Sequence, residues 1–253
     1  MILTLSAILF VLLAIIGREK GVKTFCSAYA NFFMIILSAI LIVMGANPVA
    51  VGLIFSVLFS LITLFGVNGC NRKTVASFFS VLIVLLLTGL FIGWIGMKSN
   101  LSGFPAEYSE EIAETGITSS NVHINYFDVF VTVILMGLIG SITDAALDAA
   151  TTVNEIYQNN KSMPVRELVL SGFNIGGDIL GTMVNTLFFA FWGTFMGYFI
   201  WHQGESIMKV INGKAFAFEY IRIAFCGLGC ILVIPISCII TTILLKKFPP
   251  KIN

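Results

Sequence analysis

The feature that most constrains this chain is a succession of long, continuously apolar segments. About 20 apolar residues in a helix cross a hydrocarbon core of roughly 30 Å. Only 11% of the residues are charged, against about 25% in a soluble domain. The apolar residues do not alternate with polar ones, which argues against the strands of a membrane barrel. We therefore predict an all-α integral membrane protein, with residues 1–253 forming a single polytopic membrane domain.

The apolar segments predict about seven transmembrane helices. They lie near residues 1–16, 25–44, 49–66, 75–96, 126–157, 167–200 and 220–245. The first segment has no basic residue before it, as a cleaved signal peptide would have. It is therefore predicted to be a retained span, although it is also short enough for an interfacial helix.

The orientation follows from the connecting segments, because Lys and Arg accumulate on the cytoplasmic side. The connections rich in basic residues contain Arg18, Lys20, Lys23, Arg72, Lys73, Lys161, Arg166, Lys246, Lys247 and Lys251. The alternate connections contain only Lys98, Lys209, Lys214 and Arg222. This predicts that the N-terminus is outside and the C-terminus is cytoplasmic. The acidic segment 97–122 is then extracytoplasmic, where we favour a solvated loop over a cation-collecting mouth.

Several function classes are excluded or disfavoured by the residues present. A net charge of +1 provides no basic surface for nucleic acid. No Ser–His–Asp grouping and no phosphate-binding loop is visible, so we do not expect an enzyme. Cys226 and Cys230, spaced i,i+4, are interpreted as packing residues rather than a thiolate pair. No histidine lies within a predicted span, which argues against a zinc or copper site.

Acidic residues interrupt the fifth predicted span along one helix face. Asp144 and Asp148 are spaced i,i+4, and Thr151 (or Thr152) and Glu155 continue the same stripe. The residues between them are mostly alanine, which lets another helix approach closely. A helix over 126–157 would be about 48 Å long. It therefore either projects into the cytoplasm or breaks near the glycines at 137 and 140.

The sixth predicted span has the same mixed character. Asn174, Asp178, Thr182 and Asn185 share one helical face. The predicted helix-break glycines of the two spans are Gly137, Gly140, Gly172, Gly176 and Gly177. Unwound backbone at membrane depth is tolerated where it is buried or lines a cavity. We therefore expect a Gly-broken polar helix pair in which Asp144 and Asp178 face each other across a polar cavity.

These acids need compensation, because an ionised Asp at the bilayer centre costs roughly 2.5–3.5 kcal/mol. The sequence shows no Lys or Arg near them within the spans, so they are protonated, solvated or neutralised by a cation. Oxygen ligands suit a hard cation such as Na⁺, Mg²⁺, Ca²⁺ or Mn²⁺, or a proton. We favour a transporter or ion-coupled permease with a bound cation of unknown identity and no other cofactor. Its partners would be the lipid bilayer and a small ion or solute.

Three other interpretations remain open. If the fifth predicted span projects into the cytoplasm, Asp144 and Asp148 lie at the inner membrane boundary and are merely solvated. The polar helices could join a non-transporting assembly subunit or receptor to a partner. Two membrane aspartates also suggest an intramembrane aspartyl protease, whose dyad shares one proton. That pattern is incomplete here, because Ile175 stands at the first glycine position before Gly177 and Asp178.

The stretch from Gly137 to Gly193 resembles the signature of the YibE/F-like family of bacterial multispan membrane proteins. Matching positions are Gly137, Gly140, Asp144 and Glu155, followed by Asn174, Ile175, Gly176, Asp178, Gly181, Thr182, Asn185 and Thr186. Asp148 stands where relatives are expected to carry a small hydroxyl residue. The resemblance implies a multi-pass protein of a bacterial plasma membrane, with a related multispan partner or a homo-oligomer. It names no substrate.

Overall fold

The computed structural model describes residues 1–98 and 126–247, and every regular element in those ranges is a helix. In chain order the helices are α1 (Ile2–Val43), α2 (Pro48–Asn68), α3 (Arg72–Lys98), α4 (Tyr126–Asn159), α5 (Val165–Trp201), α6 (Ile207–Ile211) and α7 (Lys214–Lys247). Six of them are long and apolar enough to cross a membrane. The all-α multispan fold is thus confirmed. Apart from the end of α3, the acidic segment 97–122 lies outside the described residues.

The first helix reverses direction within its own length. Arg18 has φ 48° and ψ −130°, which separates two helical arms. The arms run antiparallel, since the ring centroids of Phe10 and Phe25 are 4.9 Å apart and the backbone of Gly21 packs on the Leu13 carbonyl. A straight helix of this length would be about 63 Å long, twice the hydrocarbon thickness. The hairpin therefore corresponds to the first two predicted segments.

The core is built around α4, which packs against α2, α3, α5 and α7. Two serines from different helices bind the same α4 carbonyl. The Ser237 hydroxyl of α7 donates to the oxygen of Ala146 at 2.7 Å, and the Ser77 hydroxyl of α3 donates to it at 3.1 Å. Because this contact is buried, it fixes the axial position of α4 relative to both neighbours.

Two of the basic connections lie side by side at one end of the bundle. The Lys246 ammonium donates to the Lys161 carbonyl at 3.3 Å and lies 5.3 Å from the ring centroid of Tyr157. The α4–α5 turn and the end of α7 are therefore neighbours. Which side of the membrane this end faces stays a prediction.

The predicted helix breaks are wrong, because α4 and α5 are continuous helices. Of the two alternatives for α4, the structure shows the unbroken helix, which is longer than the hydrocarbon core. The glycines concerned are Gly137, Gly140, Gly172, Gly176 and Gly177, and none has a positive φ. Three of them instead allow close contact. A Cβ on Gly172 would lie 2.7 Å from Val153 Cγ2, and one on Gly176 would lie 2.6 Å from Ile234 Cγ2. Packing of α5 on α4 and α7 thus explains two of these glycines without any unwinding.

Candidate functional site

The acidic stripe of α4 is present as predicted and lies on the surface of the single chain. Asp144, Asp148 and Glu155 are exposed, and Thr151 is half-buried beside them. Asp144 and Asp148 lie one helical turn apart on this face. The intervening alanines are buried in the core; they are Ala145, Ala146, Ala149 and Ala150. Core packing of this alanine face therefore turns the carboxylates outward.

The polar residues of α5 form a second exposed face. Asn174, Asp178, Thr182 and Asn185 are all exposed. The Thr182 hydroxyl donates to the Ile179 carbonyl of its own helix at 2.8 Å. Within the described part of the chain, the other three side chains have no hydrogen-bond partner. The buried side of α5, which includes the glycines at 172 and 176, lies on the opposite face and packs on α4 and α7.

The two polar faces lie at a similar level but do not meet. The contact between Val153 and Gly172 aligns α4 with α5. Asp144 lies nine residues from Val153, or about 14 Å along α4, and Asp178 lies six residues from Gly172, or about 9 Å along α5. Nine residues are also two and a half turns, so Asp144 lies on the side of α4 opposite Val153. The expected facing pair across a shared cavity is therefore not formed in one chain.

The acidic side chains of α4 and α5 are also too far apart to form a metal site together. No three His, Cys, Asp or Glu side chains among residues 1–98 and 126–247 are close enough together to hold a metal ion. The paired carboxylates of Asp144 and Asp148 are the closest approach to a cation site on α4. The side-chain oxygens of the α5 face, from Asn174 to Asn185, lie on a separate surface.

An ion pair on α7 lies against α4 about two turns before the acidic stripe. The Arg222 guanidinium donates from Nε to Glu219 Oε2 at 2.9 Å, and its Nη2 is bonded to Oε1. The same guanidinium packs against α4 at Gly137, where an added Cβ would lie 3.0 Å from Nη1. Gly137 precedes Asp144 by seven residues, or about 10 Å along the helix. The basic residue that packs on α4 is thus about 10 Å from the first acid of the stripe along the helix and is already paired with Glu219.

Ser141, Cys226 and Cys230 lie between Arg222 and Asp144. Together these residues form a track of polar groups. The Ser141 side chain lies beside Cys226 and Cys230. Both cysteines are buried, in agreement with their interpretation as packing residues. The sequence signal for this track is the spacing of Glu219, Arg222, Cys226 and Cys230 by three, four and four residues, which places them on one face of α7.

A cavity of about 300 Å³ between α5 and α7 is separate from these polar groups. Its lining is aromatic and aliphatic, including Phe188, Trp192, Phe216 and Tyr220, and includes no acidic residue. No carboxylate or amide side chain lines it. The candidate site therefore consists of the α4 stripe and the polar face of α5.

The comparisons with known proteins agree with this helical architecture. The family model described as YibE/F-like protein matches residues 5–247, nearly the whole chain and far more than the signature stretch alone. Searches of curated proteins and of solved structures gave no match. The match includes the six apolar helices and both polar faces. This chain therefore belongs to the YibE/F-like family of membrane proteins.

Proposed function

We propose that this protein is a transporter or ion-coupled permease of a bacterial plasma membrane, with cation or proton sites on two separate surfaces, the acidic stripe of α4 and the acidic and amide face of α5. The observation that carries the proposal is the position of Asp144 and Asp148. Asp144 lies 18 residues after Tyr126 and 15 before Asn159, inside a candidate span that is longer than the hydrocarbon core and continues unbroken past both aspartates. Both aspartates are exposed on one face there.

Such a position is costly for two carboxylates without a positive partner. An ionised Asp at the bilayer centre costs roughly 2.5–3.5 kcal/mol on insertion scales. Arg222 does not supply the missing charge, because it is bonded to Glu219 and meets α4 about 10 Å from Asp144. A proton or a hard cation held by carboxylate and amide oxygens would remove the cost.

A second candidate function is a non-transporting assembly subunit or receptor. It is favoured by the position of α5 at the edge of the bundle. In the most apolar window of α5 only 11% of residues are buried, against 61% in α4. A related multispan partner could cover this helix, and its acids would then serve assembly instead of ion binding.

Flux measurements in proteoliposomes separate the two functions. We expect Asp144→Asn and Asp178→Asn each to reduce flux of Na⁺, Mg²⁺, Ca²⁺, Mn²⁺ or protons by about tenfold, which corresponds to about 1.4 kcal/mol of lost stabilisation. Asp128→Asn is the matched control, because it makes the same change in the first turn of α4. Equal flux in wild type and both site variants, for every cation, would reject transport.

A further inference from the structure

The polar face of α5 lacks a partner although it belongs to a candidate membrane span. Asn174, Asp178 and Asn185 are exposed and make no hydrogen bond within the described chain. Lipid tails offer neither donors nor acceptors, so an uncovered amide or carboxylate in the hydrocarbon region is unfavourable. The face lies opposite the one that packs on α4 and α7, so the chain's own helices leave it open.

We propose that a second copy of this chain covers this face, so that α5 pairs with α5 across a two-fold axis along the membrane normal. The inference rests on the proposed function and deepens it, because the cation site on α5 is then completed only in the dimer. Two Asp178 carboxylates from different copies would meet at one depth, with amide groups of both copies around them.

Self-complementarity is the reason to choose a second copy. Identical chains insert in the same orientation, so a two-fold axis along the membrane normal brings each α5 residue to its counterpart at the same depth. The Asn174 and Asn185 amides can each donate and accept hydrogen bonds. Each amide can therefore bond to the same residue of the other copy or to an Asp178 carboxylate. Like carboxylates, in contrast, need a proton or a cation between them. The same face thus provides assembly and a ligand site.

Close approach of the two helices is also sterically open. Gly177 and Gly181 are four residues apart, both are exposed, and an added Cβ on either would meet no atom within 4 Å. Small residues at this spacing let membrane helices pack backbone to backbone. Beyond them the same face continues with Phe189, Trp192 and Met196, which are 70%, 38% and 60% exposed. The contact can therefore extend along most of α5.

Disulfide cross-linking of the purified full-length chain in liposomes tests the pairing. Cys26 and Cys70, the exposed cysteines, are first replaced by serine. Asn185→Cys is then compared with Val184→Cys, and Asn174→Cys with Phe173→Cys, each in that background. The two members of a pair lie at nearly the same depth but point about 100° apart. All four positions are exposed, so accessibility to the oxidant is matched.

We expect several-fold more cross-linked dimer from Asn185→Cys and Asn174→Cys than from their neighbours, at low protein-to-lipid ratio. Co-purification of two differently tagged wild-type copies is expected as well, and it does not depend on any variant folding. Equal yields within each pair, or no cross-linking and no co-purification, would overturn the second-copy interface.

Cross-linking and flux together distinguish failure of the α5 interface from failure of the proposed transport. Selective cross-linking together with equal flux of wild type and Asp178→Asn supports the interface and rejects the cation function. Flux that depends on Asp178 without selective cross-linking supports transport and rejects the second copy as the cover of α5.

Discussion

Replacing Gly172 by alanine adds one methyl group where α5 packs on its neighbours. The new Cβ would lie 2.7 Å from Val153 Cγ2 and 3.1 Å from Cys238 Sγ. Val153 is completely buried, and a helical valine has essentially one side-chain rotamer, so it cannot turn away. Overpacking of this kind costs about 1–3 kcal/mol. The higher helix propensity of alanine than of glycine offsets about 1 kcal/mol of that cost.

The matched control is Gly193→Ala, because an added Cβ there meets no atom within 4 Å. It has the same gain in helix preference without the clash. The free energies of unfolding of the two variants should therefore differ by about 1–3 kcal/mol, with Gly172→Ala less stable. Denaturation in detergent micelles, followed by tryptophan fluorescence, measures this difference. Equal stability would refute docking of α5 through Gly172.

Two further perturbations test the core and the ion pair. Ser237→Ala removes the 2.7 Å hydrogen bond to the Ala146 carbonyl and should lower the free energy of unfolding by about 1 kcal/mol. Ser80→Ala is the control, because the Ser80 hydroxyl bonds only within its own helix, and it should have a smaller effect in the same denaturation assay. A larger effect at Ser80 would contradict the interhelical role of Ser237. Arg222→Met leaves the Glu219 carboxylate, 15% exposed, without its partner and should cost about 1–3 kcal/mol. The double variant with Glu219→Gln should recover part of that loss, and additive losses would refute the coupling.

The fold was largely predictable because hydrocarbon thickness translates directly into lengths of apolar sequence. The predicted spans correspond to the described helices, and even the reversal at Arg18 falls between two predicted segments. The acidic stripe was predictable for a similar reason, since the i,i+4 spacing of Asp144 and Asp148 determines a common face in any helix.

Relations between helices were less predictable, because helical periodicity does not say which neighbour a face meets. Glycines that suggested unwinding serve close packing instead, as Gly172 and Gly176 show. Asp144 and Asp178 lie at similar levels but on separate surfaces. The approach of Arg222 to α4 depends on the crossing of α4 and α7, which no spacing within one helix indicates.

The most direct test of the central claim is whether a cation occupies the carboxylates of α4 and α5. Purified protein in liposomes is treated with an apolar carbodiimide, which modifies protonated carboxyl groups, and each site is quantified by mass spectrometry. We expect labelling at Asp144 and Asp178 that falls as Na⁺, Mg²⁺, Ca²⁺ or Mn²⁺ is added and rises as the pH is lowered, while Asp128 is insensitive to the metal cations. Labelling that no metal cation reduces and that follows pH as a fully solvated carboxylate does would contradict the account.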